Sequence, residues 1–221
     1  GDHIYKMDYR KMIACHLEKG ADLTVAAIRM DRSLSKEFGV MEVDREGRIM
    51  GFQEKPEEPG TIPGDPEGIL ASMGIYIFNT EMLVRRLVEN ARSDSSHDFG
   101  KDIIPSMIKK DRVFHFDFRQ GDCGGMGYWK DVGTVDAYYE ANMDLVAVIP
   151  QLNLYDPEWP ILAHQPPYPP AKTVLLEEGR VGIALNSILS HGSIIFSSSF
   201  WFVLRCLSWY KVWGVCVSYT A

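Results

Sequence analysis

Apolar positions along this chain recur at two different spacings, and the switches between them divide it into elements. Tyr5, Tyr9, Met12, Ile13, His16 and Leu17 fall at helical spacing, with Gly20 closing the helix. Leu23 to Met30 is a compact apolar run with β-branched residues, which predicts a buried strand. Val40-Met41-Glu42-Val43, the turn Asp44-Arg45-Glu46-Gly47 and Arg48 to Gln53 read as a hairpin. Pro56 to Gly68 holds four Pro and three Gly and reads as a long loop of the kind that often carries function. Leu70 to Phe78 is the next strand, and Asn79 or Thr80 caps a helix running to about Ala91. Asp98 is a good N-cap for a helix starting at Phe99. Arg112 to Phe118 predicts a strand with Phe114, Phe116 and Phe118 on one face. A glycine-rich loop, Gln120 to Gly127, leads to a short motif, and Thr134 starts an amphipathic helix to about Val148. Strands alternating with helices argue for a mixed α/β sheet with helices packed on it.

After Pro150 the pattern changes. Pro157 to Pro170 is proline-rich and reads as an extended linker. Beyond it Ile188, Ile194 and Phe200 recur every six residues, a period that suits a parallel β-helix. Stacked coils need about three units to hold together, and barely two are legible before the composition shifts again. From Phe200 to Ala221 sixteen residues are apolar. A bilayer span needs roughly 20 apolar residues, but Arg205 and Lys211 inside this run would each cost about 2.5–3.5 kcal/mol at a span centre. A tail arising from a shifted reading frame near Phe196 is the competing expectation.

Composition narrows the classes. At 221 residues and 46% apolar the chain suffices for one sizeable domain and part of a second. A net charge of −7 with no basic stripe argues against a nucleic-acid surface. Cys15, Cys123, Cys206 and Cys216 show neither metal-ligand spacing nor a disulfide framework, which fits a cytoplasmic protein. No signal peptide is visible at Gly1-Asp2-His3-Ile4, which reads as the inside of a protein.

The motif Tyr128-Trp129-Lys130-Asp131-Val132-Gly133-Thr134 sets a lone carboxylate after an aromatic pair and before a Gly and a capping Thr. Asp2 follows Gly1, and open α/β sheets place their sites at strand ends of this kind. Either aspartate could simply cap a helix; together they could hold one Mg²⁺, a hard cation that prefers carboxylate and phosphate oxygens. Lys55, between Glu54 and Pro56, could meet a sugar phosphate as a point charge or be a solvated surface lysine. Ser72 and Tyr76 put hydroxyls on an apolar strand, for a sugar or merely for a neighbour. Asp98-Phe99-Gly100-Lys101 could seat a hexose or be only a well-capped helix. His3, His97 and His115 are scattered and read as structural. No Ser/His/Asp arrangement, HExxH, CxxC or Gly-rich phosphate-loop motif is present.

In order and spacing, Gly1 to Tyr9, Phe52-Gln53-Glu54-Lys55-Pro56, Ala71 to Tyr76, Ser96 to Pro105 and Tyr128 to Thr134 resemble the bacterial ADP-glucose pyrophosphorylase (glucose-1-phosphate adenylyltransferase) family. The likeness runs from residue 1 to about 195. Gly-Asp-His, Glu-Lys-Pro and Trp-x-Asp-x-Gly are shared among sugar-nucleotide pyrophosphorylases; Ser96 to Lys101 and Asn153-Leu154-Tyr155-Asp156 are more particular to the ADP-glucose type. The resemblance implies a Rossmann-like nucleotide-diphospho-sugar transferase domain, followed by a left-handed parallel β-helix. It implies formation of ADP-glucose and pyrophosphate from ATP and α-D-glucose 1-phosphate, the step toward glycogen. By matching position, Asp2 and Asp131 would hold catalytic Mg²⁺ and Lys55 would bind the sugar's phosphate. Glu54, Ser72, Tyr76, Asp98, Phe99 and Trp129 would line the glucose pocket. A homo-oligomer, a tetramer in the family, is implied as well.

Family members begin with a glycine-rich segment carrying an Arg that cradles the ATP phosphates, and this chain starts after it. The expected division is therefore a partial catalytic domain over 1–150, the sugar-phosphate half, then a linker over 151–180. The start of a β-helix over 181–199 and an atypical apolar tail over 200–221 complete it. The isolated chain is expected to be an inactive fragment. Three alternatives stay open: a UDP- or dTDP-glucose pyrophosphorylase, a non-catalytic regulatory subunit of the same fold, and a membrane-anchored remnant.

Overall fold

The computed structural model describes residues 2–121, 127–164, 166–176, 180–195, 199–200, 203–204, 210–212 and 215–217. The chain divides into two compact units, residues 7–127 and residues 1–6 with 128–221.

The first unit is built on the most apolar segments. Helix α1 (Tyr9–Glu18) starts where the Asp8 carboxylate accepts from Arg10 N, and ends before Gly20, whose φ of +54° a side chain would strain. Strand β2 (Leu23–Asp31) follows, its first six residues buried on both faces, as expected of a central strand. A 3₁₀ turn (Arg32–Glu37) leads to the hairpin β3 (Gly39–Val43) and β4 (Ile49–Glu54). Then come β5 (Gly68–Phe78), helix α2 (Thr80–Ala91), a π-helical turn (Phe99–Ile103), the short α3 (Ile104–Ile108), β6 (Val113–Asp117) and α4 (Phe118–Gly121). The sheet order is β4-β3-β5-β2-β6, antiparallel except for the parallel β2/β6 pair. Leu23, Val25 and Ala27 pack with Met41, Ile49, Leu70 and Val113 against Ile103, Ile104 and Met107, so the π-turn and α3 cover one face of the sheet. Beside this core, Arg86 of α2 forms a bidentate pair with buried Asp111, at 2.8 and 2.6 Å.

Two readings need correction here. Tyr5 lies in a strand of the other unit and not on α1. Helix α1 buries Met12 and His16 and leaves Tyr9, Ile13 and Leu17 exposed. On β6 it is Val113 that joins the core cluster; Phe116 is buried, while Phe118 leaves the strand, begins α4 and is buried there. The proline segment 56–68 is a loop as expected, tied down where Ile62 and Asp65 bridge and Arg29 pairs with Asp65 at 2.6 Å.

In the second unit β1 (His3–Tyr5) pairs antiparallel with β7 (Trp129–Asp131), and α5 (Val135–Leu145) follows, shorter than its apolar pattern suggested. Thr134 caps α5 through Ala137 N. Asn153 and Asp156 accept from backbone N–H groups two residues on, which folds the start of the proline-rich segment into turns. Lys6 meets Asp156 at 3.0 Å and stands over the Trp159 ring. Further on, two-residue strands pair in parallel: Ala184–Leu185 with Ser199–Phe200, Ile188–Leu189 with Val203–Leu204, and Ile194–Ile195 with Lys172–Thr173. Of the apolar tail only short strand segments fall among the described residues; the rest, with residues 122–126 of the glycine-rich loop, lies outside them. Among the described residues no helix is long and apolar enough to cross a membrane.

Candidate functional site

The register of β1 and β7 sets His3 opposite Asp131, Ile4 opposite Lys130 and Tyr5 opposite Trp129. Directly opposed residues of an antiparallel pair share a face. Asp2 precedes the strand and is held by its carbonyl, which accepts from Val132 N at 3.0 Å. The result is that Asp2, His3 and Asp131 offer ligand atoms all within 4.8 Å of one another. Ligands on opposite sides of one divalent cation stand about 4 Å apart, so small rotamer shifts would close the set on an ion. Gly133 keeps the approach open, since a Cβ there would stand 3.2 Å from Asp2 Oδ2. Gly133 N also donates to Asp131 Oδ1 at 3.2 Å and orients that carboxylate.

The opposite face of β7 is anchored. Tyr128 and Lys130 both reach Asp144 Oδ2 of α5, at 2.9 and 3.1 Å, and Lys130 also pairs with Glu140 at 3.4 Å. Burial, then the Asp144 acceptor and its charge, push the Tyr128 phenol well above its ordinary range. Trp129 is buried, its ring 5.4 Å from that of His3.

The 7–127 unit carries the other expected site residues. Along β5, residues 72 to 76 lie opposite 25 to 27 of β2, and Gly74 takes φ +70° in this irregular stretch. Ser72 accepts from Gly74 N and hydrogen-bonds the Tyr76 hydroxyl. Burial raises the Tyr76 pKa, and the nearby Glu54 and Asp98 charges raise it further, against the Ser72 hydrogen bond. Phe99 stacks on Tyr76 at 6.1 Å and 13°, and Phe78 meets both rings. Asp98 is a cap, accepting from Gly100 N and Lys101 N at 2.8 and 2.9 Å. Glu54 lies against Gly100, where a Cβ would stand 2.8 Å from Glu54 Oε2 and 3.3 Å from Asp98 Oδ1. Five of the expected glucose-pocket residues are thus one neighbourhood.

Lys55 ends the hairpin with φ +50°, an uncommon conformation for a lysine and one that bears on its exit direction. Its N–H still donates to Phe38 O at 3.0 Å, and the next carbonyl, of Pro56, accepts from Ser35. Among the described residues the exposed Lys55 ammonium forms no ion pair.

The residue that sequence reasoning missed is His3. It reads as structural with the other scattered histidines; only pairing with a segment far along the chain reveals its company.

The fold and the two carboxylates define a class, and comparison with known proteins agrees. The family model described as nucleotidyl transferase matches residues 1–147, and the chain belongs to that family. More narrowly, it is 53% identical over 195 residues to "Glucose-1-phosphate adenylyltransferase 2" of Alkalilimnicola ehrlichii, covering 88% of this chain and 46% of that protein. It is 54% identical over 199 residues to glucose-1-phosphate adenylyltransferase of Rhodopirellula baltica, covering 88% and 45%. For the Methylococcus capsulatus enzyme of that name the figures are 51% over 196 residues, 88% and 46%. The chain spans about half the length of the curated relatives it matches.

Proposed function

We propose that this chain serves the transfer of an adenylyl group from ATP to α-D-glucose 1-phosphate, giving ADP-glucose and pyrophosphate for glycogen synthesis. The observation that carries the reading is the meeting of Asp2 and Asp131 in a chain half identical to glucose-1-phosphate adenylyltransferases. A phosphate oxygen of the sugar phosphate attacks the α-phosphorus of ATP, the bond to the β-phosphate breaks, and pyrophosphate leaves. No protein nucleophile is needed, so the protein's task is to position two anions and neutralise their charge. Bound Mg²⁺ would supply charge neutralisation at phosphate oxygens; Asp2 and Asp131 would hold it.

Lys55 binds the phosphate of glucose 1-phosphate in this reading. Tyr76 and Phe99 offer flat faces to the sugar, and Glu54, Ser72 and Asp98 offer groups for its hydroxyls. The domain reading that goes with it assigns catalysis to 1–150, a linker to 151–180, the start of a left-handed β-helix to 181–199 and an apolar tail to 200–221. The short parallel strand pairs beyond residue 172 support the β-helix part. A cytoplasmic homo-oligomer without nucleic-acid or membrane partners completes the proposal.

Calorimetric titration with glucose 1-phosphate in the presence of Mg²⁺ tests it. Lys55→Ala is expected to weaken binding on the order of tenfold or more, the scale of a lost charge-assisted contact, while barely changing binding of free glucose. Equal affinity in the variant and the unaltered chain would overturn the reading.

A further inference from the structure

We propose that His3 is a third protein ligand of the cation held by Asp2 and Asp131, and that this imidazole turns the site toward Mn²⁺ over Mg²⁺. The inference rests on the reading of those two aspartates as cation ligands.

Three of the six histidines hold a hydrogen-bonded ring nitrogen. His16 Nδ1 is bonded to Thr24 at 2.8 Å, His97 Nδ1 to Asn90 at 2.9 Å and His115 Nδ1 to the Gly47 carbonyl at 2.9 Å. Each of these rings has a structural partner. His3 is half-buried, yet among the described residues its ring makes no hydrogen bond and no ion pair; its contact is the tilted Trp129 ring. The half-buried imidazole thus has ring nitrogens available to a ligand.

What lies nearby are two carboxylates. All three ligand atoms fall within 4.8 Å of one another, yet no direct hydrogen bond or ion pair joins His3 to either aspartate among the described residues. Ligand atoms gathered this closely can share one ion. Backbone geometry holds the trio: the Asp2 carbonyl is bonded to Val132 N, and His3 is paired in register with Asp131. The Trp129 ring limits the swing of the imidazole, and Gly133 N orients Asp131.

The donor set decides the preference. Mg²⁺ demands oxygen ligands and keeps its waters, whereas first-row transition ions gain from an imidazole nitrogen. Two carboxylate oxygens and one nitrogen on the protein leave the remaining positions for water and a phosphate oxygen of the substrate.

Pulsed electron paramagnetic resonance of the purified chain loaded with Mn²⁺ reads the bond directly. Expected is nitrogen modulation that changes frequency when the protein carries ¹⁵N-labelled histidine. His3→Asn should abolish it and weaken Mn²⁺ binding about tenfold, while Mg²⁺ affinity, measured by competition, changes by no more than about threefold. Mn²⁺ bound in an Asp131-dependent manner but without the histidine signal overturns this inference and leaves the aspartate reading standing. Mn²⁺ binding that survives Asp131→Asn overturns the aspartate reading instead, and no Mn²⁺ binding by the unaltered chain overturns both.

Discussion

The two units hold their candidate chemistry in different ways. In residues 7–127 the candidate residues Glu54, Ser72 and Tyr76 project from a five-stranded sheet with a dense apolar core, and Tyr76 and Ser72 sit at an irregular point of a long strand. In the other unit Asp2, His3 and Asp131 stand on a two-stranded ribbon, which on its own is marginally stable in water. The ribbon is anchored by polar contacts instead: Tyr128 and Lys130 to Asp144, Lys6 to Asp156. A rigid sheet suits groups that must read the shape of a sugar. A ribbon with one face anchored and the other open suits groups whose partner is a small exchangeable ion.

The contrast can be tested by disturbing each kind of support. The largest effect is expected in the sheet unit: Asp111→Ala leaves the Arg86 guanidinium buried without its bidentate partner and should cost about 3–5 kcal/mol, read by urea unfolding. Next is Asp131→Asn, which removes one of two charged ligands and should weaken Mn²⁺ binding on the order of a hundredfold, with little change in stability. A smaller effect follows Gly100→Ala. The new methyl displaces the flexible end of Glu54, so glucose 1-phosphate should bind about tenfold more weakly while stability changes by under about 1 kcal/mol.

The smallest effect concerns pH. Burial holds the His16 pKa below its ordinary 6.5, against the opposing charge of Asp22. The unfolded chain therefore takes up its proton first. This contribution to stability is whole above about pH 6.5 and declines as the pH falls from there toward the folded-state pKa. His16→Gln should flatten that decline, a change of about 1 kcal/mol or less between neutral and mildly acidic denaturation curves.

Much of the fold was legible where its signals are local. The apolar run of β2 and the caps at Asn79, Asp98 and Thr134 each act within a few residues, and each is found where the pattern put it. The Glu54, Ser72, Tyr76, Asp98 and Phe99 grouping was reached through resemblance, since spacing alone left a capped helix and a sugar seat equally open. What escaped depends on distant pairing. Tyr5 sat at helical spacing from Tyr9, but β7 captures it for a strand. The phenylalanines at 114, 116 and 118 alternate perfectly, but the strand stops at Asp117 and Phe118 turns into a helix. His3 shows its role only when matched with Asp131, and no periodic pattern in its own neighbourhood encodes that match.

The pleat of β7 carries one more consequence. Odd-numbered side chains, Trp129 and Asp131, look toward the side of His3, and even-numbered ones, Tyr128 and Lys130, toward the anchoring helix. Parity therefore matters more here than identity. Removing or adding a single residue in this stretch would exchange the two sets wholesale, pointing an ammonium to where the Asp131 carboxylate now stands, so the segment should tolerate many substitutions more readily than any change in its length.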